Sequence, residues 1–225
     1  MVDFGYELLG AIYGDGHVHT TENRITIVGS LEDFYYYYYY LKPQIENFFN
    51  VNVYVRQRKD RNAFYLSFES KEVFEYLLNK GLLRGAKVNL GLPFFENEIQ
   101  VVSFLRGLFD TDGSLKFSKQ TQSINYYPRI QLVFRDNPFS KELGSLFEKL
   151  GFNYAFWYSG RDKQNCYQIS GKINLEKWNK IIGFSNPVHK TKYLYWKENS
   201  CYEPYSSLDS RLKTLNLKIE ALFLS

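Results

Sequence analysis

The chain has 225 residues, 44% of them hydrophobic, so it is long enough to bury the core of one large domain or two small ones. The net charge of +4 permits a polyanionic partner without requiring one. Two distant cysteines, Cys166 and Cys201, exclude a disulfide framework and a zinc-binding spacing.

The first half of the chain predicts helix, hairpin, helix, hairpin and helix, in that order. An apolar helix over residues 3–15 precedes the hairpin "HVHTTENRITIVG". "SLED" is a capping-box pattern that opens a tyrosine-rich helix. "VNVYVRQRKDRNAFYLSFES" alternates apolar and polar residues, which indicates a half-buried strand pair, and "KEVFEYLLNKG" predicts a short helix that ends at glycine.

The second half repeats this order. A helix over residues 97–112 is followed by "SLKFSKQTQSINYYPRIQLVF", "NPFSKELGSLFEKLG", "FNYAFWYSGRDKQNCYQISG" and "KINLEKWNKIIG". Pro138 marks a helix start and Gly151 its end. A repeated pattern of this kind indicates a duplicated unit. We therefore divide the chain into a first half (1–90), a linker (91–100), a second half (101–198) and a tail (199–225) with an amphipathic helix in "SLDSRLKTLNLKIEALF".

The two apolar helices end alike, each on an Asp-Gly pair. Gly10 and Gly14 are four residues apart, as are Gly107 and Thr111, so each helix has a face of small residues on which the other helix can pack. We expect left-handed caps at the glycines that follow, Gly16 and Gly113.

The aspartates of these pairs, Asp15 and Asp112, would then lie together at two negative helix ends, an arrangement that a divalent cation would relieve. A single Asp-Gly pair is most simply a turn. Two such pairs at one point of a duplicated unit favour a shared function.

The segments "LLGAIYGDG" (8–16) and "LRGLFDTDG" (105–113) resemble the paired LAGLIDADG motifs of the homing endonucleases. They match at the leucine, the glycine, the Ile or Phe, and the final Asp-Gly. The resemblance implies an α+β fold of two pseudo-symmetric αββαββα halves. It further implies that the motif helices form the interface and that two antiparallel sheets form a DNA-binding saddle. Two motifs in one chain imply a monomer.

The activity implied by the resemblance is site-specific cleavage of both strands of a long asymmetric DNA target by an intron-encoded endonuclease, without a protein partner. In the family the final Asp of each motif binds a divalent cation together with the preceding carbonyl, which carries over to Asp15, Asp112, Gly14 and Thr111. Two or three Mg²⁺ ions, replaceable by Mn²⁺, would meet the oxygen ligands that such cations prefer. Tyr13 stands where the second motif has Asp110, a position that is not a ligand in the family.

The resemblance also implies basic residues beside the site, for which Lys87, Lys190 and Lys192 are candidates; alternatively, these are solvated surface lysines. DNA contacts are expected from outward strand positions, because a two-stranded ribbon fits the major groove. Simple solvent exposure is the alternative for each. The candidates are Arg24, Thr26, Asn52, Arg56, Arg58, Arg61, Lys116, Gln120, Gln122, Arg129, Gln131, Arg135 and Arg161.

The remaining motifs are assigned structural roles. The run "YYYYYY" (35–40) presents side chains on every side of a helix, so some are expected to pack on the sheet and others to be half-exposed. His17, His19 and His189 are too scattered to predict a metal site.

Two other functions compete with endonuclease activity. "LFDTDGSL" also resembles the nucleophile motif of haloacid-dehalogenase-like phosphatases, with Asp110 as nucleophile and Asp112 as acid/base, but that motif follows a parallel strand. An RNA maturase that assists splicing of a host intron is the second alternative. Protein splicing is not expected, because the chain starts at Met1 and ends "ALFLS" without a terminal His-Asn.

The expected location is a reducing intracellular compartment, either a prokaryotic cytoplasm and nucleoid or an organelle matrix. The expectation follows because the first 16 residues are interrupted by acidic side chains, unlike a signal peptide. The sequence contains no run of roughly 18 apolar residues, so no membrane contact is predicted.

Overall fold

A computed structural model of the protein describes residues 2–59 and 62–223, which form ten α-helices and eight strands. The first half contains α1 (Phe4–Asp15), β1 (Gly16–Val18), β2 (Arg24–Ser30), α2 (Phe34–Tyr36), α3 (Lys42–Phe49), β3 (Tyr54–Gln57), β4 (Ala63–Glu69) and α4 (Lys71–Asn79). The second half contains α5 (Glu98–Asp112), β5 (Gly113–Ser118), β6 (Tyr127–Arg135), α6 (Pro138–Glu142), α7 (Gly144–Lys149), β7 (Ala155–Ser159), β8 (Gln164–Ser170) and α8 (Lys172–Ile181). The last two helices are α9 (Pro187–Asn199) and α10 (Leu208–Thr214).

Each half builds one four-stranded sheet, in the orders β1-β2-β4-β3 and β5-β6-β8-β7. Every strand pairing among the described residues is antiparallel. The registers correspond, because Gly16 pairs with Ile27 in the first sheet and Gly113 with Leu132 in the second. The predicted α+β architecture of two pseudo-symmetric halves is therefore confirmed.

Helices α1 and α5 pack against each other through their glycines. A Cβ added to Gly10 would lie 2.0 Å from the carbonyl oxygen of Phe104, and one added to Gly107 would lie 1.9 Å from that of Glu7. The backbones of the two helices are therefore in direct contact, which a side chain at either glycine would prevent. The predicted small-residue interface is confirmed.

The predicted left-handed caps at Gly16 and Gly113 are wrong. Both residues are extended, with φ of −77° and −83°, because strands β1 and β5 begin at these glycines without an intervening turn. Glycine is required at both positions because there is no room for a Cβ. A Cβ would lie 2.6 Å from the oxygen of Ile12 at the first position and 2.5 Å from that of Phe109 at the second.

The helix predicted over residues 97–112 is confirmed as α5, which begins at Glu98 because the Asn97 side chain caps it by accepting the N–H of Gln100 at 3.1 Å. The tail differs from the prediction. In the tail, the predicted amphipathic helix is broken after α10. Asn216 adopts a left-handed conformation, and a separate 3₁₀ turn covers Ile219–Phe223.

The tyrosine run divides as the sequence indicated. Tyr36 and Tyr37 are buried in the core, whereas Tyr38 and Tyr39 are exposed. A π-helical turn over Tyr37–Leu41 joins α2 to α3. In the described ranges no helix is long and apolar enough to cross a membrane.

Candidate active site

The side chains of Asp15 and Asp112 converge where the packed helices α1 and α5 end. Each aspartate is the last residue of its helix. The two ends adjoin, since a Cβ added to Gly14 would lie 3.1 Å from the Cβ of Asp112. The two carboxylates therefore share one partly buried region between the two sheets.

Burial disfavours the ionised form of both carboxyl groups in the absence of a cation. Burial, together with the nearby carboxylates of Asp112 and Asp33, raises the pKa of Asp15 to about 7. Burial likewise raises the pKa of Asp112 to about 6. The ammonium of Lys87 opposes both shifts. A site built in this way favours a bound positive charge.

Lys87 is placed at this region by a 3₁₀ turn over Lys87–Asn89. Its Nζ donates to the carbonyl oxygens of Tyr13 at 2.9 Å and Gly14 at 2.6 Å. Burial lowers the pKa of Lys87 to about 8, although Asp112 and Asp15 oppose this shift. Its own carbonyl accepts the side-chain N–H of Asn137 from the second half, at 3.0 Å.

Asn186 takes the equivalent position in the second half, and sequence reasoning missed it. Its Nδ2 donates at 2.8 Å to the carbonyl of Asp110, the residue that corresponds to Tyr13, and at 2.8 Å to a carboxylate oxygen of Asp33. Its Oδ1 accepts the N–H of Val188, so Asn186 also caps α9. Neither α9 nor this contact was predicted from the sequence, in which Asn186 and Pro187 follow the last predicted helix of the second half.

The other two candidate lysines lie on α9. Lys190 Nζ donates to the carbonyl of Leu222 at 2.7 Å, which ties it to the C-terminal tail. Burial and the nearby guanidinium of Arg211 lower the pKa of Lys192, while Glu32 and Asp33 raise it. Lys192 therefore lies close to Asp33, at the edge of the region that holds Asp15.

The donor set suits a hard cation that keeps part of its own shell. Within residues 2–59 and 62–223, no three His, Cys, Asp or Glu side chains are grouped to hold a metal ion. An ion between Asp15 and Asp112 would therefore complete its shell with backbone carbonyls, water or phosphate. The Thr111 hydroxyl donates within its own helix, to the carbonyls of Gly107 and Leu108.

A buried polar network beside the site was also missed from the sequence. Glu7 is fully buried in α1, and its carboxylate accepts hydrogen bonds from Arg106, Tyr40 and Ser185 at 3.2, 3.0 and 2.8 Å. Ser185 N–H also donates to Asp110 at 2.7 Å. The apolar surroundings of Glu7 in the sequence gave no indication of this network.

Burial raises the pKa of Asp110 well above its usual range. This aspartate lies inside a helix and is 1% exposed, so the phosphatase interpretation, in which Asp110 is an accessible nucleophile after a parallel strand, is wrong.

The predicted DNA contacts fall into three groups. Alternation along the strands sets eight of them on the sheet faces away from the core. These eight are Arg24, Thr26, Arg56, Arg58, Lys116, Arg129, Gln131 and Arg135. Others lie in loops, namely Asn52, Gln120, Gln122 and Arg161. Arg61 lies outside the described residues.

Two of these candidates have acidic neighbours. Asn52 precedes β3 and lines an open groove with Glu46, Glu69 and Glu72, which disfavours a phosphate there. Arg24 forms ion pairs with Glu22 and Glu69, at 3.1 and 3.5 Å. An incoming phosphate would have to compete with these carboxylates.

Part of the second half matches the model of a known protein family. Residues 100–183 match the model of the LAGLIDADG-like domain. The chain is 24% identical over 206 residues to a DNA polymerase of Methanocaldococcus jannaschii, covering 79% of this chain and 11% of the polymerase. It is 26% identical over 163 residues to the uncharacterized protein MJ0314 of the same organism, covering 72% of this chain and 58% of that protein. The chain thus spans only part of the length of these curated relatives.

Solved structures match most of the chain. The crystal structure of I-DmoI in complex with DNA and Mn matches with a TM-score of 0.55 and 17% identity, over 80% of this chain and 96% of that one. The meganuclease I-SmaMI bound to uncleaveable DNA matches with a TM-score of 0.58 and 13% identity, over 87% and 90%. The resemblance carried by the two motifs is confirmed, and the fold is the one that these two proteins share.

Proposed function

We propose that this protein is a site-specific DNA endonuclease, because it combines a LAGLIDADG-like domain with the fold of the homing endonuclease I-DmoI. It cleaves both strands of a long, asymmetric duplex as a monomer, by metal-dependent phosphodiester hydrolysis. The observation that carries the proposal is the convergence of Asp15 and Asp112 at the ends of two packed helices, between two sheets with polar outer faces.

DNA binding is supported by the outer faces of the sheets. The eight side chains described above alternate with core residues, so they present one polar and mostly basic surface in each half. I-DmoI and I-SmaMI are both described as complexes with DNA. Because this chain's two sheets carry different side chains at corresponding positions, its target is asymmetric.

Asp15 and Asp112 would hold Mg²⁺ with the carbonyls of Gly14 and Thr111, as two or three ions that Mn²⁺ can replace. The I-DmoI structures contain Mn, Mg or Ca, which supports a divalent cation. When bound, such an ion activates water and stabilises the leaving oxygen of an in-line displacement.

The chain's own residues position the reacting groups around such an ion. Each aspartate serves one DNA strand, and the ammonium of Lys87 adds positive charge where phosphate oxygens would gather. Lys190 and Lys192 are the proposed basic residues of the second half. The protein acts within a cell, in a nucleoid or an organelle matrix, on the DNA in which its intron inserts.

The test is selection from a randomised duplex library with Mg²⁺, and in parallel with Mn²⁺ and with EDTA. We expect one long, non-palindromic sequence to be cut on both strands with either metal and left intact in EDTA. Unchanged cleavage in EDTA would overturn the metal mechanism. If no duplex is cut, splicing of a host intron RNA in the presence of the protein tests the maturase alternative, which the two retained aspartates disfavour.

A further inference from the structure

One row of side chains across the second sheet is apolar where most of that face is polar. Val133 on β6 pairs with Cys166 on β8, which pairs with Trp157 on β7. The flanking residues of β6, Leu132 and Phe134, are buried in the core, so this row lies on the opposite, outer face. Trp157 is 40% exposed, whereas Cys166 is 5% exposed.

Polar residues of β6 and β8 flank this apolar row on both sides, with Ala155 of β7 next to Gln168. On one side Gln131 pairs with Gln168, and their side chains are hydrogen-bonded at 3.4 Å. On the other side Arg135 pairs with Gln164. An apolar strip three strands wide inside a polar face is continuous with the proposed DNA surface, which favours DNA over a protein partner as its occupant.

The corresponding row of the first sheet is different. Since Gly16 pairs with Ile27 as Gly113 pairs with Leu132, Val28 corresponds to Val133. Val28 pairs with Tyr65, which pairs with Arg56. An exposed guanidinium therefore stands in the first half where an indole stands in the second.

We propose that the row of Val133, Cys166 and Trp157 selects thymine through its 5-methyl group, whereas Arg56 selects guanine at the corresponding base pair of the other half-site. This inference rests on the proposed DNA-binding function. The thymine methyl is the apolar group on the major-groove edge, and arginine makes a paired hydrogen bond to guanine O6 and N7. The other three bases have no methyl group to place against the apolar row.

Uracil tests the methyl group alone, because it differs from thymine only by that group. Each thymine of the selected target is replaced in turn by deoxyuridine, and the dissociation constant is measured in Ca²⁺. We expect a loss of about three- to tenfold at one position in the second half-site. Replacement of thymines in the first half-site serves as the internal control and should change binding by less than about twofold.

Substitutions then assign the effect to this row. In Trp157→Ala the penalty for deoxyuridine should disappear, while Trp157→Arg should change the selected base at that position from thymine to guanine. Arg56→Trp is the matched reverse change in the first half. Thermal unfolding of each variant checks folding, which the exposed edge position of Trp157 should preserve.

The outcomes separate this inference from the proposed function. A cleaved target without thymine at this row overturns the inference and leaves the endonuclease intact. So does a deoxyuridine penalty that is absent, or one that Trp157→Ala does not change. Failure of any duplex to bind overturns the proposed function itself.

Discussion

The ammonium of Lys87 lies 2.6 Å from the carbonyl oxygen of Gly14, in the last turn of the first motif helix. Carbonyls at a helix C-terminus lack intrahelical donors and carry the negative end of the helix dipole. A lysine there donates a hydrogen bond to such a carbonyl and also places a positive charge at the negative end of the dipole. The same ammonium offsets the charges of Asp15 and Asp112. In the second half the neutral amide of Asn186 takes this position, so the two halves place different charges at equivalent points.

This difference predicts that loss of Lys87 affects the two DNA strands unequally. In Lys87→Met the site loses the cation that compensates the carboxylates, so cleavage should slow by about tenfold or more, with one strand affected more than the other. Duplexes labelled on either strand should show a nicked intermediate that accumulates. Lys71→Met, which removes an exposed lysine of the same half, is the control and should cut both strands as the wild type does. Equal slowing of cleavage on both strands would contradict this prediction.

Removal of either motif carboxylate should abolish efficient cleavage. Asp15→Asn and Asp112→Asn retain the shape of the side chain but remove a negative charge that would bind the metal. We expect double-strand cleavage of a plasmid carrying the target to fall by about two orders of magnitude or more. DNA binding should be largely retained, since the sheets supply the base contacts. Full cleavage by the double variant would falsify the assignment of these aspartates.

The parts of the fold that local pattern controls were predictable from the sequence. Period-two strands, the helix start at Pro138 and the paired Asp-Gly motifs all lie where expected, because each depends on neighbouring residues. The contact of Asn186 with Asp110 joins residues far apart in the chain, and only the packing of α9 against α5 brings them together. The buried charge of Glu7 was hidden for the same reason, since its partner Arg106 belongs to the other half.

The close approach of the motif helices predicts a large effect of very small substitutions. In Gly10→Ala the new methyl would lie 2.0 Å from the carbonyl oxygen of Phe104, and in Gly107→Ala it would lie 1.9 Å from that of Glu7. Because backbone cannot yield as a side chain can, we expect a loss of about 3 kcal/mol or more in the free energy of unfolding. Gly91→Ala is the matched control, since a Cβ there has no neighbour within 4 Å. Urea unfolding of the three variants measures the difference.

The raised pKa values of the motif aspartates predict how the metal-free protein responds to pH. The folded-state pKa values, about 7 for Asp15 and about 6 for Asp112, exceed the unfolded value of about 3.9. Between pH 4 and 7 the folded state therefore binds more protons than the unfolded state, and the stability due to these groups is lost as pH rises. It is fully present below pH 4 and absent above pH 7.

Asp15→Asn removes one of these titrating groups, so its stability relative to the wild type should increase with pH. In EDTA we expect the variant to unfold at nearly the same urea concentration as the wild type near pH 4.5. At pH 8 it should be more stable by about 1–3 kcal/mol. Addition of Mg²⁺ at pH 8 should stabilise the wild type and leave the variant much less affected, because an ion that binds only the folded state shifts the equilibrium toward it. A variant less stable than the wild type at pH 8 in EDTA would show that burial does not disfavour the ionised form of Asp15 in the folded protein.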